Sequence, residues 1–211
     1  MNEIILASKS IDRGELLRRC GLEFTRCITD IDEYTYKLKY SDPIQLVKAL
    51  AKAKLEKAKD DLINGIFKKN KKIKEKNDKI IIAADTIVEL NGEIIGKASN
   101  EEEAFKILKN LIGKTHNLIT GIAITTLFKN KIVVDFDKTE VEFLGLSDEE
   151  IWAYIKTGEW RGRAGAYSIR DKASMFIKAI NGSSSNVIGL PMHKIYKILK
   201  NEFDINLFKD F

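Results

Sequence analysis

The sequence predicts a mixed α/β protein, and three observations carry that expectation. Ile80-Ile81-Ile82-Ala83-Ala84 is a short β-branched apolar run, the pattern of a strand buried on both faces and too short to span a membrane. Ile44, Val47, Leu50, Ala51, Lys54, Leu55 and Ala58 recur at helical spacing behind Ser41-Asp42-Pro43, which supplies a cap and a proline at the first helical position. Between residues 117 and 146 the apolar spacing turns strand-like, in runs at 122–124, 132–134 and 141–143 that predict antiparallel strands. With 211 residues, 44% apolar and 32% charged, the chain has ordinary globular composition and fits one domain over 1–211.

In chain order, Ile4-Ile5-Leu6-Ala7 forms the first strand, and a helix opens near Ile11-Asp12-Arg13 and stops at Gly21. Ser8, Ser10 and nearby cations at this helix start make an anion site with phosphate as the expected anion, unless the serines serve only as caps. Residues 24–28 read as a second strand. Asp30-Ile31-Asp32-Glu33 follows in a loop, where the carboxylates either bind Mg²⁺ or sit as exposed turn residues. The helix begun by Pro43 is expected to reach Lys59, and Lys54 within its apolar stripe either snorkels to solvent or has a role in a site.

The strand at 80–84 is expected to end on Asp85, at the strand mouth where catalytic acids gather. Asn91-Gly92 predicts a two-residue type I′ hairpin that returns Lys97 towards Asp85. An acid and a lysine meeting at a sheet edge suit water activation beside a held anion, the alternative being a surface salt bridge. Ser99-Asn100-Glu101-Glu102 caps a helix closed by Gly113, and Ser147 with Glu150 caps another that stops at Gly158. Arg161, Arg163 and Ala164-Gly165-Ala166-Tyr167 make a glycine-rich turn suited to phosphate or base contact. A strand is expected at 174–180, and a last helix opens at Gly189-Leu190-Pro191, with His193 on it as a structural residue.

Residues 68–79 hold seven lysines against Glu75 and Asp78, which accounts for the whole formal net charge of +5. Without interleaved aromatics the block reads as a solvated loop, which makes neither nucleic acid nor a membrane the expected partner. Cys20 and Cys27 read as buried thiols rather than zinc ligands or a disulfide framework. The N-terminus lacks a basic region followed by a long apolar core, so cytoplasm is the expected compartment.

Five blocks in order, LASKSIDRGELL, AADTIVELNGEIIGK, GKTHNLITG, TGEWRGRAGAYSIRD and GSSSNVIGLP, resemble the signatures of the Maf-like nucleoside triphosphate pyrophosphatases across nearly the whole chain. The resemblance implies an elongated, two-lobed fold like that of Maf and ITPase proteins, with a mixed twisted sheet and a cleft. It implies cleavage of a nucleoside triphosphate to the monophosphate and pyrophosphate with Mg²⁺ or Mn²⁺. Matched by motif, Asp85 is the proton acceptor for water, Ser8, Arg13, Lys54 and Lys97 hold the triphosphate, and Glu33 joins Asp85 near the metal. Thr86 matches the dTTP and UTP branch. Where the family has Arg and Gln at specificity positions, this chain has Asp12 and Arg170, which are expected to pair with each other. Trp160 is a candidate cover for a base. Modified pyrimidine nucleotides are included among the expected substrates, and a homodimer is compatible with the pattern. Two other readings compete: a catalytically weak nucleotide-binding regulator of cell division, and a nucleic-acid module acting through the lysine block.

Overall fold

A computed structural model describes residues 3–68 and 79–211, with backbone alone for 66–68. The lysine-rich block, apart from its end residues Lys68 and Lys79, lies outside the described residues. The elements are β1 (Glu3–Ala7), α1 (Ile11–Arg19), β2 (Phe24–Arg26), α2 (Glu33–Lys39), α3 (Pro43–Lys68), β3 (Lys79–Leu90), β4 (Glu93–Ile95), α4 (Glu101–Leu111), β5 (Thr115–Thr126), β6 (Val133–Phe143), α5 (Asp148–Ile155), a 3₁₀ turn (Lys172–Met175), β7 (Ile177–Asn181), α6 (Ser184–Val187) and α7 (Met192–Phe203). Seven strands form one mixed sheet in the order β2-β1-β3-β5-β6-β7, with β4 on β3, so the α/β class expected from the sequence is the class observed.

The chain divides into two compact units. The first comprises Met1–Asp85, Thr120–Phe136 and Gly189–Phe211. Here β1 pairs in parallel with both β2 and β3, Ile4 standing opposite Phe24 on one side and Ile80 on the other. Side chains alternate across a strand, so one set of residues, Ile4, Leu6, Ile80, Ile82 and Ala84, packs with Leu17 of α1 and Ile195, Leu199 and Phe203 of α7. The other set, Ile5, Ala7, Ile81 and Ala83, packs with Ala51, Leu55 and Ala58 of α3. The double burial is why this run carries apolar residues at every position.

The second unit comprises Thr86–Ile119 and Asp137–Ile188. Its antiparallel pairs are β3 with β4 and β6 with β7, and its core gathers Val88, Leu108, Leu111, Leu118, Phe143, Ile151, Tyr154, Trp160, Tyr167 and Phe176. Asn91 and Gly92 take positive φ, 53° and 87°, as the expected hairpin turn demands. Ser147 and Glu150 form the expected capping box, and Gly158 follows with φ of 78°.

Several expectations are corrected. β3 continues through Asp85 to Leu90, so Asp85 lies inside a strand and not at its mouth. The second strand stops at Arg26, and Glu33 opens helix α2 behind an Asp32 cap instead of sitting in a loop. α3 passes Lys59 to reach Lys68. Residues 133–134 and 141–143 belong to one strand, and residues 174–175 fall in a 3₁₀ turn where a strand was expected, β7 starting only at Ile177. Cys20 is exposed at the C-terminal cap of α1, and Cys27 is half-buried just beyond β2, so neither is the buried thiol foreseen. Trp160 is 4% exposed with its indole donating to the Ile155 carbonyl at 3.1 Å, which makes it core and not a cover for a base.

Candidate functional site

The first unit holds six of the candidate site residues, Ser8, Asp12, Arg13, Glu33, Lys54 and Asp85. β1 delivers the chain to Ser8, whose hydroxyl accepts the Ser10 amide at 3.2 Å, while Ser10 caps α1 by accepting the Arg13 amide at 3.3 Å. The cap starts the helix where Arg13 falls in the first turn, and Arg13 then turns inwards, only 8% exposed. Its Nη1 donates to Ser8 Oγ at 3.0 Å and to the Ala84 carbonyl at 2.9 Å, and its Nε donates to the Gly189 carbonyl at 2.7 Å. Desolvation pulls the guanidinium's pKa below its ordinary value, while the carboxylates of Asp85, Glu33 and Asp12 act in the opposite direction. These contacts make Arg13 a bolt between the β1–α1 loop, the middle of β3 and the approach to α7.

One residue after Ala84, the Asp85 carboxylate accepts the Lys54 ammonium at 2.5 Å. The same ammonium stands 2.7 Å from Glu33 Oε1. Lys54 reaches this point from the face of α3 that packs on the sheet, which explains a lysine within an apolar stripe. Its side chain is 14% exposed and that of Asp85 12%, against 40% for Glu33. Gly121 of β5 lets α3 lie this close, since a Cβ there would come within 2.2 Å of the Val47 carbonyl oxygen.

Asp12 is half-buried in the first turn of α1. Thr86, Lys97 and Arg170 belong to the second unit. Thr86 is half-buried on β3, and Lys97 is exposed beyond β4, bridged to Ala164. Arg170 is half-buried in the turn after Tyr167, and its neighbour Asp171 pairs with Arg163 at 3.3 Å. Sequence reasoning missed the carbonyl acceptors of Arg13, because a backbone carbonyl carries no residue signature. It also passed over His116, which is 1% exposed and shares a 2.9 Å hydrogen bond with the Tyr167 hydroxyl.

Glu33 Oε1 and Asp85 Oδ1 converge on one point, the position of the Lys54 ammonium. Among the described residues no group of three or more His, Cys, Asp or Glu is placed to hold a metal ion. Mg²⁺ and Mn²⁺ prefer oxygen donors, and one or two carboxylates with waters and phosphates are enough to hold such an ion. The residues present therefore fit such a cation.

Fold and site together define a class, a mixed α/β protein whose acid and cation centre suits polyphosphate chemistry. Within that class, the chain belongs to the Maf family of Maf-like proteins, whose family model matches residues 3–202. A dTTP/UTP pyrophosphatase of Alkaliphilus oremlandii is 44% identical over 209 residues, covering 98% of this chain and all of that protein. Proteins of the same name from a Thermoanaerobacter species and from Clostridium acetobutylicum are 38% and 40% identical, covering 97% and 93% of this chain and 99% and 96% of theirs. The solved structure of the Staphylococcus aureus Ham1 protein overlays with a TM-score of 0.43 at 17% identity, over 67% of this chain and 72% of that one.

Proposed function

We propose that this protein hydrolyses nucleoside triphosphates to the monophosphate and pyrophosphate, with dTTP, UTP or modified pyrimidine nucleotides as its substrates. The observation that carries the reading is the convergence of Asp85 and Glu33 on the buried Lys54, in a chain 44% identical to a dTTP/UTP pyrophosphatase along its full length. Asp85 accepts a proton from the water that attacks the α phosphorus. The bond from that phosphorus to the α,β-bridging oxygen breaks, and pyrophosphate leaves with the bridging oxygen.

Lys54, Ser8 and Lys97 are assigned to the phosphate oxygens, and Glu33 with Asp85 to Mg²⁺ or Mn²⁺. When bound, that ion supplies charge neutralisation on the phosphates. Thr86, Asp12 and Arg170 are assigned to choice of base through their motif matches. Arg13 matches a triphosphate-holding position, but its hydrogen bonds to Ser8, Ala84 and Gly189 support a second role, that of fixing the backbone beside Asp85. The names of the relatives favour turnover over the regulator reading. No helix among the described residues is long and apolar enough to cross a membrane, and the reading implies a cytoplasmic nucleotide pool.

The test is pyrophosphate release with Mg²⁺ across canonical and modified triphosphates. Asp85→Asn keeps the shape of the side chain but cannot accept the proton, so kcat should fall by about 10²–10⁴-fold with the fold intact. A wild-type rate in that variant rejects the assigned base, and no release from any triphosphate rejects the activity.

A further inference from the structure

Lys54 sits where a divalent cation would sit. Its ammonium is 2.5 Å from Asp85 Oδ1 and 2.7 Å from Glu33 Oε1, which places it at the shared focus of the two carboxylates. The charge is needed there in the resting protein, because Asp85 is largely buried and an unpaired buried carboxylate is costly. A +2 ion cannot share that point with an ammonium, since like charges a few ångströms apart in a site of low effective dielectric repel strongly. Lysine is suited to moving aside: its charge rides on four rotatable methylenes, and a rotamer change shifts it without moving α3.

We propose that Lys54 is an exchangeable counter-ion, whose ammonium holds the Glu33 and Asp85 carboxylates while no divalent cation is bound and transfers to the triphosphate when one is. The inference rests on the hydrolase reading above for the identity of the incoming anion. Its consequence is coupled binding. A divalent ion arriving alone displaces an ammonium that then has no partner anion. An ion arriving with a triphosphate leaves Lys54 with phosphate oxygens to hold. Each ligand therefore tightens the other by the same factor, as linkage requires.

Two measurements without turnover test the exchange. The first follows free Mn²⁺ by electron paramagnetic resonance, with wild-type protein and Lys54→Met, each with and without the α,β-methylene analogue of dTTP. Wild-type protein should bind Mn²⁺ about tenfold or more tightly with the analogue present, a typical coupling factor. Lys54→Met, of similar length without the charge, should bind Mn²⁺ alone more tightly than wild type and lose most of that dependence. Equal or weaker Mn²⁺ binding by a folded Lys54→Met overturns the proposal.

The second measurement needs no variant. Acylation of Lys54 in the nucleotide-free wild-type protein by an N-hydroxysuccinimide ester, read by mass spectrometry, should rise as Mn²⁺ saturates. Unchanged labelling at saturating Mn²⁺ overturns the exchange. Wild-type hydrolysis of dTTP and UTP is assayed alongside: absence of turnover removes the proposed function, while the Mn²⁺ and labelling results still decide the exchange.

Discussion

At the scale of single residues, Arg13 has more protein contacts than a substrate ligand needs. Arg13→Ala leaves the Ala84 and Gly189 carbonyls without this donor, and each buried group left unpaired costs on the order of 1–3 kcal/mol. Urea denaturation should therefore show a stability loss of about 3 kcal/mol along with lost turnover. Unchanged stability with a raised KM would return Arg13 to the triphosphate alone. His116 gives the second prediction at this scale. Burial lowers its imidazole from 6.5 to about 4, and its Nδ1 meets no hydrogen-bond partner, so protonation would add an unsatisfied donor. Because the folded pKa lies below the unfolded one, the unfolded chain takes up the proton first. The stability held by neutral His116 is fully present above pH 6.5 and drains as pH falls to about 4, by on the order of 3 kcal/mol. Between pH 7 and 4.5, urea midpoints of the wild-type protein should drop relative to those of His116→Phe. Parallel curves would show that His116 titrates normally in the folded state.

At the scale of elements, the contact of α3 with β5 sets where Lys54 ends up. Gly121→Ala drives a methyl group into the Val47 carbonyl, a backbone atom that moves only if the helix moves. The expected cost is about 1–3 kcal/mol by overpacking, accompanied by a fall in kcat as the ammonium shifts from Asp85. A destabilised variant with wild-type kcat would separate helix position from catalysis. How far the elements were legible depended on whether their signal was local. The Asn91-Gly92 turn, the Ser147 box and the doubly buried run at 80–84 each announce themselves within a few residues. α2 does not, because none of its seven residues is buried and it has no apolar stripe to read. Asp85 looked like a strand end because a carboxylate interrupts an apolar run. The strand accommodates it since Lys54, 31 residues earlier in the chain, supplies its hydrogen bond.

At the scale of the whole molecule, charge and site separate along the sequence. Replacing residues 69–78 with a Gly/Ser linker removes five lysines, Glu75 and Asp78, none of them among the proposed site residues. The length of chain between two ordered ends contributes little to closure entropy, so kcat and KM should stay within about twofold. Collapse of activity in a folded variant would bring those lysines to the substrate. Ser8, Arg13, Glu33, Lys54 and Asp85 were nameable from motif order; Arg13 bonds Ser8 and, 71 residues on, the Ala84 carbonyl next to Asp85, while Lys54 joins Asp85 and Glu33. The hydrogen bond from Arg13 to Gly189 spans 176 residues, which has a consequence for synthesis. A chain is made from its N-terminus, so Arg13 leaves the ribosome long before the carbonyl it must reach. Until residue 189 has emerged, the guanidinium lacks one of its anchors and the backbone beside Asp85 is unsecured. Chains terminated before residue 189 should for that reason be inert, and turnover should appear only after that residue has emerged.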